Sequence, residues 1–190
     1  VGRPEPPPAG RSGPFDGVPL LVKDLWCDVA GQPSWSGLRV LAERGHRASR
    51  DDVSALRLQG AGFVIVGRTN TSELGLSVAT EPQGFPPTRN PKNRERSPGG
   101  SSGGSAAAVS AGMVAIAHGS DMAGSLRLPA AWCGVVGFKP SRGRPPPPSG
   151  LSRSGHALMQ EHVLTRSIRD TRATLAAVTA AGGPRTTLSD

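Results

Sequence analysis

Short continuous apolar runs alternate along this chain with segments of helical periodicity, and loops rich in glycine and proline separate them. Leu20-Leu21-Val22, entered through the turn Phe15-Asp16-Gly17-Val18-Pro19, predicts a buried strand over 18–22 that ends at Lys23-Asp24. Phe63-Val64-Ile65-Val66-Gly67 is apolar without polar alternation and predicts a second strand over 63–67, central and parallel. Between them, 51–60 carries Val53 and Leu56 one turn apart behind Asp51 and Asp52, so a helix is expected there. Thr69 to Leu74 places Thr and Ser ahead of Glu73, the pattern of a capped helix start. Ser105 to Ala117 is a run of small side chains and predicts a closely packed helix. Ser167 to Ala181, with Ile168, Thr171, Leu175 and Val178 on one face, predicts a last one. Helix followed by buried strand is the order of an α/β sheet. The expected fold is α/β, with α/β/α layers around a mixed, mainly parallel central sheet.

The remaining stretches punctuate this pattern. Residues 1–14 are rich in Pro and Gly and read as an extended lead-in to one domain over 15–190. Residues 31–48 have loop composition, 81–98 form a long polar Pro-rich loop, and 145–150 read as a stiff polyproline segment. With 26 Gly and 19 Pro in 190 residues, many loops are expected rather than disorder. No run of 18 or more apolar residues occurs, so no membrane span is expected, and no signal peptide is visible. A cytoplasmic location is the expectation. Cys27 and Cys133 are too few for a disulfide framework, and neither sits in a metal-binding pair; Cys133 reads as a buried small hydrophobe. His46, His118, His156 and His162 show no ligand spacing, and no metal or cofactor is expected.

A net charge of +8 raises nucleic acid as a partner, but the positive residues are scattered with no stripe of interleaved aromatics, which argues against it. The charge matters in another way. Nineteen arginines stand against three lysines, Lys23, Lys92 and Lys139. Arginine stays protonated, whereas a buried lysine can lose its proton and act as a base. Lys23 closes an apolar strand, which leaves two readings of it: a surface residue at a strand end, or a buried amine with a depressed pKa.

Two glycine–serine loops supply what such a base would act on. Pro98 to Ser105 is the first, with Gly99, Gly100, Ser101, Ser102, Gly103 and Gly104. Gly119 to Ser125 is the second, with Met122, Ala123 and Gly124 ahead of Ser125. Glycines let backbone amides approach a ligand and form anion-binding concavities. Serine hydroxyls become nucleophiles once a base takes their proton.

Lys23 in LLVKD, Ser101 in GGSSGGS and Ser125 in GSDMAGSLRLPAAWCGVVGFKPSRGR together resemble the amidase signature family. The resemblance runs from about residue 15 to 181 and includes RTNTSELG at 68–75 and TRNP at 88–91. SAAAVSAGMVAIAHGSD and EHVLTRSIRD are similar to its branch of 6-aminohexanoate-cyclic-dimer hydrolase-like amidases, which act on nylon-type oligomers. The resemblance implies a Ser–Ser–Lys triad: Ser125 the nucleophile, Ser101 the bridging serine bound through a cis peptide, Lys23 the base. It implies an oxyanion hole from the amides of Met122, Ala123, Gly124 and Ser125, with Gly99 and Gly100 near the substrate. Ala123-Gly124 stands where many members have Gly-Gly. Members are considerably longer, so a partial domain lacking its C-terminal part is expected.

Other residues have structural readings. Ser102 and Ser105 are expected as helix N-caps, Asp121 and Arg127 as supports of the second loop, and His118 as a packed histidine. Three functions remain open. The first is hydrolysis of a small-molecule carboxylic amide through an acyl-enzyme. The second is the role of the amidase-like component in a glutamine-dependent amidotransferase, working with partners on misacylated tRNA. The third is a truncated, inactive fragment. Assembly of the full-length protein into a homo-oligomer is also left open.

Overall fold

The computed structural model describes residues 13–145, 155 and 158–180. The lead-in up to residue 12, most of the polyproline segment, His156 and the chain after residue 180 lie outside the described residues. The strands are β1 (Pro19–Lys23), β2 (Val64–Thr69), β3 (Ile116–Asp121), β4 (Val136–Gly137) and β5 (Gln160–Thr165). The helices are α1 (Arg39–Glu43), α2 (Val53–Gly60), α3 (Gly103–Ser110), α4 (Arg127–Cys133) and α5 (Ile168–Ala180), with a 3-10 turn at Glu73–Gly75. The sheet order is β2-β1-β3-β5-β4. β1 pairs in parallel with β2 and β3, while β5 runs antiparallel to β3 and β4.

Alternation along the strands sorts the core into two layers. Leu20, Val22, Ile116 and Val163 pack with Ala55 and Leu58 of α2 and Val178 of α5. On the other face Ala117 and Leu164 pack with Ala106 and Val109 of α3 and Ala130 and Cys133 of α4, and Leu21 joins them. Phe15 stacks on Phe63 at 4.4 Å, closing the entry turn onto β2. This is the α/β/α arrangement expected for the chain. Both predicted strands form, each displaced by a residue or two, and the Arg39–Glu43 helix adds one short element to the loop before α2.

Two expectations give way to tertiary effects. The small-residue helix ends at Ser110, and Ile116–Asp121 is a strand rather than a helix end followed by a loop. The apolar run continues without a break, so composition conceals the boundary, and Gly112 takes φ +76 to make the turn. Thr69 to Leu74 does not start a helix: β2 runs through Thr69 and only the short 3-10 turn follows. Its hydroxyls serve the glycine–serine loop instead, Thr71 Oγ1 donating to the Ser101 carbonyl at 3.0 Å and Thr69 Oγ1 meeting Ser105 Oγ at 2.6 Å. β5 carried no expectation, because Gln-Glu-His interrupts any apolar pattern although all six residues are buried.

Candidate active site

β1 delivers Lys23 to the carboxyl end of the sheet, where its side chain has no exposed surface. The surface reading of this lysine is therefore wrong. Its Nζ donates to Ser101 Oγ at 2.7 Å and to Ser120 Oγ at 2.9 Å. Burial pushes the amine down to about 7, against the opposing pull of Glu161 and Asp121. No carboxylate of its own loop restores the charge, because Asp24 turns away. Asp24 accepts the N–H groups of Trp35 and Gly37 and pairs with Arg68 at 3.0 Å. Arg68 also reaches Asp28 at 3.2 Å and the Cys27 carbonyl, so one guanidinium fixes the chain that follows the lysine.

Ser101 sits at the tip of the first glycine–serine loop, with a cis peptide joining Gly100 to it. The glycines here make close approaches. A Cβ at Gly100 would stand 2.7 Å from the Ser77 carbonyl oxygen, and one at Gly99 2.9 Å from Pro129 Cα. The Gly99 N–H donates to Ser97 Oγ and its carbonyl accepts from Thr80. Ser102 and Ser105 are not side-chain caps of α3. Ser102 Oγ donates to the Ser120 carbonyl and accepts from its N–H, while Ser105 Oγ donates to the His118 carbonyl. These hydroxyls stitch the loop and α3 onto β3, a role that local sequence cannot distinguish from capping.

The second loop is built around Asp121. Its buried carboxylate accepts the N–H groups of Gly124, Leu126 and Arg127 and the Arg127 side chain, with Lys139 at 3.8 Å. Burial alone would raise this carboxyl, but those bonds outweigh it and hold it below the usual range. The supporting roles expected of Asp121 and Arg127 are what the geometry displays. Gly124, expected among the oxyanion donors, spends its N–H on Asp121 at 2.7 Å and takes φ +126. Ser125 is half-buried, and its carbonyl accepts the Ser102 N–H at 3.2 Å, which joins its loop to that of Ser101. Met122 and Ala123 are exposed beside it, and the Met122 carbonyl accepts from Lys139.

Ser120 was missed at the sequence level because Gly119-Ser120-Asp121 reads as loop; only the β3 assignment turns its hydroxyl toward Lys23. Glu161 was missed for a similar reason. His118 is buried as expected but faces Glu161 Oε1 at 3.3 Å. Cys133 is buried as expected, its thiol against the Pro98 carbonyl and pushed up to about 11 by burial. Among the described residues no group of three or more His, Cys, Asp or Glu is placed to hold a metal, and no helix is long and apolar enough to cross a membrane.

Comparison with known proteins gives this geometry a context. The chain is 48% identical over 166 residues to the 6-aminohexanoate-cyclic-dimer hydrolase of Paenarthrobacter ureafaciens, covering 86% of this chain and 34% of that protein. A solved 6-aminohexanoate cyclic dimer hydrolase complexed with substrate superimposes with a TM-score of 0.86 and 46% identity, over 93% of this chain and 37% of the other. The amidase-like component of the glutamyl-tRNA(Gln) amidotransferase from Thermotoga maritima does so with a TM-score of 0.80 and 38% identity, over 94% and 39%. The chain thus spans about a third of the length of the curated relatives it matches. The family described as Amidase matches residues 5–187, so likeness of sequence and of fold extends over nearly the whole chain, and this protein belongs to the amidase family.

Proposed function

We propose that this chain carries the catalytic core of an amidohydrolase, with Lys23 as base, Ser101 as proton relay and Ser125 as nucleophile. The observation that carries the reading is the buried 2.7 Å contact between Lys23 and Ser101, made by an amine whose burial pushes it down to about 7. A free amine at Nζ accepts the Ser101 proton as Ser101 Oγ accepts that of Ser125. Ser125 Oγ then attacks the amide carbonyl carbon, and the carbonyl electron pair moves onto oxygen. The amides of Met122, Ala123 and Ser125 face the resulting anion; one preorganised donor of this kind contributes about 3 kcal/mol. Collapse expels the nitrogen, which takes its proton from Ser101, and Ser101 is reprotonated by Lys23. Water then attacks the acyl-enzyme by the same relay in reverse, releasing the acid.

The substrate class is a small-molecule carboxylic amide, linear or cyclic. The extent of likeness to the cyclic-dimer hydrolases favours this over the amidotransferase reading, whose counterpart is lower in both identity and TM-score. The scattered positive charge offers no RNA-binding stripe to offset that difference. The reading is tested by fluorophosphonate labelling of the protein expressed from its complete reading frame. Labelling at one serine, lost in Ser125→Ala and slowed at least 100-fold in Lys23→Ala at neutral pH, is expected from the loss of nucleophile and base. Raising the pH is expected to restore part of the Lys23→Ala rate and none of the Ser125→Ala rate. Undiminished labelling of Lys23→Ala at neutral pH would overturn the assignment.

A further inference from the structure

A second group of buried polar side chains takes no part in those steps. Glu161 on β5 and His118 on β3 are almost wholly buried, with Glu161 Oε1 3.3 Å from His118 Nε2. Ser54 of α2 donates its hydroxyl to Glu161 Oε2. Neither ring nitrogen of His118 nor Glu161 Oε1 has a hydrogen-bond partner among the described residues, so their 3.3 Å approach is a proximity and not a formed bond. The three side chains line one pocket together with Arg57, His162 and Thr174.

This group lies next to the relay. Antiparallel register pairs Glu161 with Ser120, whose hydroxyl takes the second bond from Lys23. Directly paired residues present their side chains on the same face of a sheet. Glu161 therefore stands one side chain away from the lysine. The charged and titratable groups around it are Lys23 on β1, Cys27 beyond it, Asp52 and Arg57 from α2, His118 on β3 and His162 beside it on β5. From α5 the pocket receives Thr174, which carries no charge. Arg57 directs Nη1 to the Val178 carbonyl, and among the described residues no Lys or Arg pairs with Glu161. Asp121, the other carboxyl near Lys23, is in contrast bound by Arg127 and approached by Lys139.

We propose that Glu161 is a positioning residue of the relay. It rests as the neutral carboxylic acid, its Oε1–H turned to His118 Nε2 and its Oε2 accepting from Ser54. Lys23 then has no counter-ion on β5 to hold its proton. The neutral Glu161 and Lys23 hold the same number of protons as an ion pair between them. Burial away from water favours the uncharged arrangement unless geometry compensates fully, and no direct contact between the two is made. An ionised Glu161 would hold the proton on Lys23 and remove the base. Burial acts in the same sense on both members of the pair, pushing the Glu161 carboxyl well above its usual range and His118 down to about 3.

The inference rests on Lys23 being the base, and the experiment separates the two. Fluorophosphonate labelling rate is followed against pH in the complete protein, its Lys23→Ala variant, and Glu161→Gln and Glu161→Ala. A glutamine amide accepts from Ser54 and donates to His118 as a neutral acid does, whereas a carboxylate only accepts. Glu161→Gln is expected to keep the acid limb within about 0.3 pH unit and the plateau within about twofold of wild type. Glu161→Ala leaves Ser54 and His118 without their partner and is expected to lower the plateau about tenfold, of the order of one lost buried hydrogen-bond partner. The infrared band of a protonated carboxyl is expected at neutral pH and lost in Glu161→Gln. An acid limb that moves down by a unit or more in Glu161→Gln, a glutamine no better than alanine, or a wild-type spectrum without that band would each overturn the proposal. Labelling that survives in Lys23→Ala would instead overturn the base assignment.

Discussion

Lys23 places an amine without exposed surface between two hydroxyls, an arrangement that favours chemistry over stability. Its pKa in the fold is lowered, by burial first, to about 7 from 10.5. The unfolded chain therefore binds more protons than the folded one between those values, and stability rises with pH across that window. The destabilisation is fully present below pH 7 and vanishes above about 10.5. Lys23→Met is expected to raise the urea midpoint at pH 6 to 7 more than at pH 10, while abolishing fluorophosphonate labelling. An equal shift at both pH values would show that the lysine is not desolvated as described. For activity the proposed role of Lys23 gives the same sign, because a base must be unprotonated. Labelling or hydrolysis is expected to fall about tenfold per unit below pH 7. A flat profile between pH 5 and 7 would contradict that.

The elements around Lys23 and Ser101 are held by small residues and by one carboxylate. α3 is buried on nearly every side, and a Cβ at Gly104 would stand 2.4 Å from the Asn70 carbonyl oxygen, which also accepts the Gly104 N–H. Backbone cannot yield as a flexible side chain does. Gly104→Ala is expected to cost on the order of 2 kcal/mol in chemical denaturation. Gly45→Ala meets no atom within 4 Å, so only its φ of +62 opposes the substitution and the loss should be smaller. Asp121 is the other anchor. Asp121→Ala orphans the N–H groups of Gly124, Leu126 and Arg127 at the loop that carries Ser125. Stability is expected to fall by about 2 kcal/mol or more and labelling of Ser125 with it; retention of full labelling would show that the loop holds its shape without the carboxylate. These roles were partly legible in the sequence. GSDMAGS marks a tight polar loop by composition, whereas the strand ending in it does not, because nothing in AIAHGSD alternates.

At the scale of the whole molecule, acid should loosen the fold through its buried histidines. Burial holds His118 down to about 3 and His162 to about 4, so the unfolded chain binds protons below about 6.5 that the folded one refuses. Stability due to each is present above 6.5 and lost as pH falls toward those values. Glu161 acts oppositely, since its raised pKa makes the folded state hold a proton that the unfolded chain releases above about 4.5. Asp24, also raised by burial, acts with Glu161 but starts from 3.8, below this range, so the two histidines are expected to leave a net loss on going from pH 6.5 to 4.5. Urea midpoints measured at those two values should fall accordingly, and a higher midpoint at pH 4.5 would refute the balance.

By itself the sequence determined the apolar strands at β1 and β2, the helices α2 and α5, the α/β class and the contact partners Lys23 and Ser101. The elements are written in local terms, unbroken apolar runs and helical spacing, whereas Lys23 and Ser101 were singled out by resemblance to the amidase signature family. Only the tertiary structure decided that Ile116–Asp121 and Gln160–Thr165 are central strands and that Thr69, Ser102 and Ser105 bind across elements rather than cap helices. It likewise decided that Ser120 is the second partner of Lys23 and that Glu161 pairs with Ser120 across the sheet. The physical reason is common to all of these. The hydroxyls of Thr69, Ser102, Ser105 and Ser120 and Glu161 Oε2 find partners between 13 and 107 positions away along the chain, and pairing at that range leaves no local pattern.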